Sequence, residues 1–164
     1  MKNQRSEFMK PGVVGAGAWG TALAELIARH EKPVKLWAFE ETVIQSINQE
    51  HENTPYLPGI KLSPHIKPTG DMADLFDCDL ILMVTPAQHM AQILQNLKSH
   101  ISPDAILVLC AKGLEQKSLK FIWKIIQMMK EQFSTVHKVT LMAKIMLKQF
   151  HSIKRELIWE DGMK

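Results

Sequence analysis

A doubly wound α/β fold, with a mostly parallel sheet and helices on both of its faces, is predicted for this 164-residue chain by three observations. Glycines at 15, 17 and 20 stand between an apolar start and a run of helix formers in "VVGAGAWGTALAELIARH". Two short, nearly continuous apolar runs, 79–84 and 105–111, suit strands covered on both faces. Helical periodicity separates the strand-like runs, the alternation that builds parallel sheets.

The first strand is expected at Gly12–Gly15. Pro11 at its head lacks a ladder donor, so this central strand is expected to start late and weaken the sheet. Trp19, Ala22, Leu23, Leu26 and Ile27 then recur at helical spacing and form one apolar face. Residues 33–39 read as a second strand, opened by Pro33, and 40–50 as a second helix with Val43, Ile44 and Ile47 on one side. The Pro- and Gly-rich segment 51–70 is expected to be an ordered loop. Between the two apolar runs, "PAQHMAQILQNLKS" supplies a crossover helix bounded by Pro86 and Pro103.

Beyond residue 116 the strand signal fades, so the last strands of a full six-stranded sheet are expected to be lacking. Residues 118–133 read as helical, and Val139, Met142, Met146, Phe150, Ile153 and Leu157 describe a basic amphipathic helix. The expected organisation is a polar extension at 1–10, a dinucleotide-binding domain at 11–133 and a helical tail at 134–164.

Composition bounds the function. With 46% apolar and 23% charged residues the chain has the makings of one core. Its net charge of +3 divides into −3 over residues 1–116 and +6 over 117–164. The basic part predicts general attraction to anions rather than a nucleic-acid site, and membrane docking by the tail is the lesser expectation. Cys78 and Cys110 sit in or beside apolar runs, and the seven histidines make no metal-binding spacing with them. No metal is expected. The polar "MKNQRSEF" start and the lack of an ~18-residue apolar run point to the cytoplasm.

The glycines carry the chemistry. In a strand–loop–helix unit the first permits a tight turn, the second lets a diphosphate approach the backbone, and the third lets helix and strand pack closely. Gly15, Gly17 and Gly20 fit these roles in order. The helix that follows would aim its N–H groups and positive dipole end at the phosphates. About twenty residues on stand Glu40 and Glu41, which either accept the ribose 2′-hydroxyl or cap a helix. A carboxylate there favours NAD slightly over NADP.

These residues, with "VKLWA" (34–38), "HENTPYLPGIKL" (51–62), "DLILMVTPAQ" (79–88) and "LCAKGLEQKSLK" (109–120), resemble the N-terminal domain of NAD(P)-dependent glycerol-3-phosphate dehydrogenases. The resemblance covers residues 12–120 and implies a Rossmann-like fold. It implies hydride transfer between the nicotinamide and dihydroxyacetone phosphate, giving glycerol 3-phosphate for phospholipid synthesis. It assigns Ala18 and Trp19 to the cofactor loop, Phe39 to a position that contacts the adenosine ribose or its phosphate, and Lys112 to both cofactor and substrate. Phe39 stands where the family often has a cation, which weakens the case for NADP. Trp19 could equally be core packing, His51 and Asn53 could bond the loop backbone, and His89 could face the nicotinamide or water.

Members of this family continue into an all-helical domain that supplies a general acid/base lysine and most of the substrate phosphate pocket. The "GP-x-FA-x-E" type motif that opens it does not follow residue 120 here. The expectation is a truncated or frame-disrupted dehydrogenase with little turnover alone, and possible homodimers. The alternative is a non-catalytic dinucleotide-binding module or one part of a split enzyme.

Overall fold

A computed structural model describes residues 10–102, 105–110 and, in their backbone, 139–141. Six strands form one sheet in the order β5-β2-β1-β6-β7-β8, every adjacent pair parallel. They are β1 (Pro11–Val14), β2 (Val34–Trp37), β5 (Ile66–Thr69), β6 (Leu80–Met83), β7 (Ile106–Leu109) and β8 (Val139–Leu141). A separate antiparallel hairpin joins β3 (Glu52–Asn53) to β4 (Leu57–Lys61). Among the described residues three α-helices lie between strands: α1 (Ala18–Ala28), α2 (Glu41–Glu50) and α3 (Ala87–Leu97). Among the described residues no helix is long and apolar enough to cross a membrane.

Side chains that alternate along each strand supply two cores, one per face. Val13 of β1, Val34 and Leu36 of β2 and Leu82 of β6 pack with Leu23, Ala24 and Ala28 of α1 and Val43 and Ile47 of α2. Their neighbours Val14, Trp37, Ile81 and Met83 turn to the other face, where Met90, Leu94 and Leu97 of α3 cover them. Burial on both faces explains why the strands read as unbroken apolar runs. The buried Trp37 indole donates to the Gly70 carbonyl at 3.0 Å, so its polar edge is satisfied inside the core.

The structure corrects three expectations. The sheet ladder includes Pro11, paired with Leu80 of β6, while pairing with β2 begins one residue later at Gly12. The proline thus occupies the first strand position, where its missing donor interrupts no continuing ladder. Segment 51–70 is mostly extended: it holds β3, β4 and β5. Pro68 is accommodated because β5 is an edge strand.

The third correction concerns the tail. Residues 139–141, expected to be helical, pair in parallel with Leu107–Leu109 as a sixth strand. Val and Thr are stiff at χ1 and favour extended backbone, and a ready partner edge outweighs helical periodicity. The expected boundary after residue 133 falls before this strand. The remainder of the expected tail lies outside the described residues.

Candidate functional site

Chain order places the site. From β1 the chain moves outward through β2 to β5, then returns to the other side of β1 as β6. This reversal opens a crevice at the C-terminal ends of β1 and β6, the place where open α/β sheets bind ligands. The glycine loop follows β1 and the Thr85–Pro86 turn follows β6, so both walls come from sequence-predicted segments.

Each loop glycine meets a different demand. Gly15 has φ +114°, and a Cβ on it would lie 3.0 Å from Thr85 Cγ2 and 3.1 Å from the Val84 carbonyl group. Only glycine adopts this turn without strain. At Gly20 a Cβ would overlap the Gly15 carbonyl oxygen, so its absence lets α1 close onto the loop. Gly17 is the opposite case. Its φ of −67° suits any residue, and a Cβ there would meet nothing within 4 Å.

Gly17 also caps α1, and the Thr21 N–H closes the first helical bond on the Gly17 carbonyl at 2.9 Å. No side chain caps this end, and its first turn carries no acidic residue. The helix therefore presents its N-terminal N–H groups and dipole to the crevice without a competing carboxylate. Ala18 and Trp19 form the first turn beside them, and Trp19 is half-buried against the α1-side core.

At the end of β2, Phe39 is 84% exposed and Glu40 is exposed beside it. Glu40 is the N-cap of α2 but its side chain makes no capping bond; it accepts a hydrogen bond from the Tyr56 hydroxyl at 2.7 Å. That bond, followed by the carboxylate's charge, raises the Tyr56 pKa above its ordinary value. His89 is exposed in the first turn of α3, its ring 3.3 Å from the Gln88 amide. The Thr85 hydroxyl is buried and has no hydrogen-bond partner among the described residues.

The hairpin between α2 and β5 adds what sequence reasoning undervalued. Asn53 is fully buried, and its amide donates to the Ala16 carbonyl at 2.8 Å and to Thr21 Oγ1 at 2.7 Å. One side chain thus ties the hairpin to the glycine loop. A polar residue in a segment expected to be a loop gave no signal of that burial. Lys112, expected to reach cofactor and substrate, lies outside the described residues.

A strand–glycine loop–helix at a switch point, with bare backbone at Gly17, defines a dinucleotide-binding α/β domain. The chain belongs to the family described as the NAD-dependent glycerol-3-phosphate dehydrogenase N-terminus, whose profile matches residues 10–143. That match runs past residue 120 and includes β8. A glycerol-3-phosphate dehydrogenase [NAD(P)+] of Caulobacter vibrioides is 53% identical over 115 residues, covering 70% of this chain and 35% of that protein. The corresponding protein of Maricaulis maris is 46% identical over 122 residues, covering 74% and 37%. The crystal structure of glycerol-3-phosphate dehydrogenase from Coxiella burnetii superposes with a TM-score of 0.63 at 28% identity, covering 80% of this chain and 39% of that one. The chain therefore spans little more than a third of the length of these relatives.

Proposed function

We propose that this chain binds NAD or NADP with its diphosphate on the Gly15–Gly20 loop, and serves as the cofactor-binding part of a glycerol-3-phosphate dehydrogenase. Gly17 carries the reading. Neither its dihedral angles nor its packing requires glycine, so the space beside it is explained by a ligand that must touch the main chain. Gly15 and Gly20 shape the loop, Ala18 and Trp19 flank the helix end, and Phe39 offers an exposed ring for the adenosine side. Glu40 keeps one carboxylate oxygen on Tyr56 and leaves the other for a ribose 2′-hydroxyl, which favours NAD over the 2′-phosphorylated form.

A nicotinamide dinucleotide held on the Gly15–Gly20 loop would supply the hydride. The chain's own part is to orient the cofactor, with Lys112 facing cofactor and substrate as the resemblance implies. Reduction of dihydroxyacetone phosphate also needs a proton for the carbonyl oxygen and a phosphate pocket, which the resemblance places in a further helical domain. Slow turnover by this chain alone follows, since acid catalysis contributes ~10²–10⁴ in rate.

Titration with NADH tests the reading. Saturable quenching of tryptophan emission is expected, with a melting temperature raised about 5–10 °C at a hundredfold excess over Kd. NADPH is expected to bind more weakly. A folded chain that responds to neither nucleotide refutes the proposal, and rapid turnover of dihydroxyacetone phosphate by this chain alone refutes its second half.

A further inference from the structure

We infer that Asn53 is a positioning residue for the diphosphate site: its carboxamide sets the plane of the Ala16–Gly17 peptide and so aims the Gly17 N–H at the ligand. The inference rests on the dinucleotide reading and adds to it a residue outside the glycine loop, 37 positions downstream of Ala16.

The orientation of the carboxamide is fixed by its partners. The Ala16 carbonyl can only accept, so the Asn53 NH₂ faces it at 2.8 Å, while Asn53 Oδ1 accepts the Tyr56 N–H at 3.3 Å. Thr21 Oγ1 accepts the second amide hydrogen at 2.7 Å and itself donates to the Ala16 carbonyl at 3.3 Å. Asn53 is fully buried, so these bonds are made where water cannot replace them.

Peptide geometry converts this contact into a cofactor effect. The Ala16–Gly17 peptide bond is trans, so the C=O of Ala16 and the N–H of Gly17 point in opposite directions across one rigid plane. With the carbonyl drawn inward to Asn53, the N–H is turned the opposite way, at a residue where a side chain would meet nothing within 4 Å. A loop with a glycine on each side of Ala16 has little intrinsic resistance to a flip of this peptide. Flipped, it would offer a carbonyl oxygen to the phosphates and repel them.

The hairpin is itself held firmly enough to act as the anchor. Ser46 of α2 donates to the Glu52 carbonyl at 2.6 Å and accepts the Thr54 N–H at 3.2 Å. The Leu62 N–H reaches the His51 carbonyl at 2.7 Å, and the Glu52 carboxylate accepts the Gly59 N–H at 2.9 Å. Asn53 is thus fixed from both sides of the turn before it reaches the loop.

NADH titration of the full chain and three variants tests this. Asn53→Ala is expected to bind NADH about tenfold more weakly than the unsubstituted chain. Glu25→Ala, which loosens α1 by removing its bond to Ser63 and leaves Asn53, Thr21 and Ala16 in place, is expected to stay within about twofold of it. Asn53→Asp supplies the pH profile: its carboxylate repels the Ala16 carbonyl at pH 8, and its protonated form donates to it, so affinity recovers toward pH 5. A general loosening of the fold would weaken Glu25→Ala as well and would not recover in acid. If a variant does not fold, the amide spectrum of the unsubstituted chain decides, because Gly17 N–H is expected to shift strongly on adding inorganic pyrophosphate. Folded Asn53→Ala binding NADH like the parent, or an unmoved Gly17 amide in a chain that binds NADH, overturns the inference alone. No NADH binding by the parent overturns the dinucleotide reading beneath it.

Discussion

At the scale of single residues, two glycines three positions apart fail in different ways. Gly20→Ala drives a methyl group into the Gly15 carbonyl, where backbone must move, and is expected to cost about 3 kcal/mol of stability. Gly17→Val meets no atom of the chain, so its melting temperature should stay near the parent's while NADH binding is lost. Thermal melts and NADH titrations of both variants check the contrast; equal destabilisation would remove the case for a ligand at Gly17. The sequence made the spacing of these residues legible because glycine is rare enough to count. It could not rank them, since only the surroundings tell an open position from a crowded one. Asn53 was legible merely as a candidate for backbone bonding; its reach to Ala16 depends on a hairpin that local pattern does not reveal.

Among elements, the loop between β4 and β5 is attached to α1 by one carboxylate. Glu25 is buried on α1, accepts the Ser63 N–H at 2.7 Å through one oxygen and lies 3.3 Å from the Arg29 Nε through the other. Replacing it with alanine leaves the Ser63 donor without this acceptor, at an expected cost of about 2 kcal/mol in denaturant unfolding. A change within 0.5 kcal/mol would show that water takes over the role. The helices and central strands were readable because α1, α2 and the runs at β6 and β7 carry long or strongly apolar patterns. The strands β3, β4, β5 and β8 were not. β3 is two residues long, β4 and β5 contain proline, β8 lies within a helical periodicity, and each becomes extended where a partner strand meets it.

Over the whole molecule, both cysteines report on integrity. Cys110 is buried in the core on one face of the sheet and Cys78 in the core on the other, and burial foremost pushes each thiol from 9.0 up to about 11. A raised thiol pKa means that below pH 9 both folded and unfolded chains hold the proton, and the native state is undiminished. Between pH 9 and 11 the unfolded chain releases protons that the folded chain keeps, so stability should fall across that window. Denaturant melts at pH 8 and pH 10 check the sign, with the Cys78→Ala, Cys110→Ala double variant expected to flatten the fall. At pH 8, alkylation of either thiol should proceed only as fast as the chain unfolds.

The placement of β8 matters during synthesis. Ile106–Leu109 leave the ribosome about thirty residues ahead of Val139–Leu141, the segment that closes their outer side. Throughout that interval the nascent chain carries an open row of main-chain donors and acceptors, free to recruit any extended neighbour on the same messenger. Translation speed through the intervening codons therefore sets how long each emerging copy is at risk of joining another.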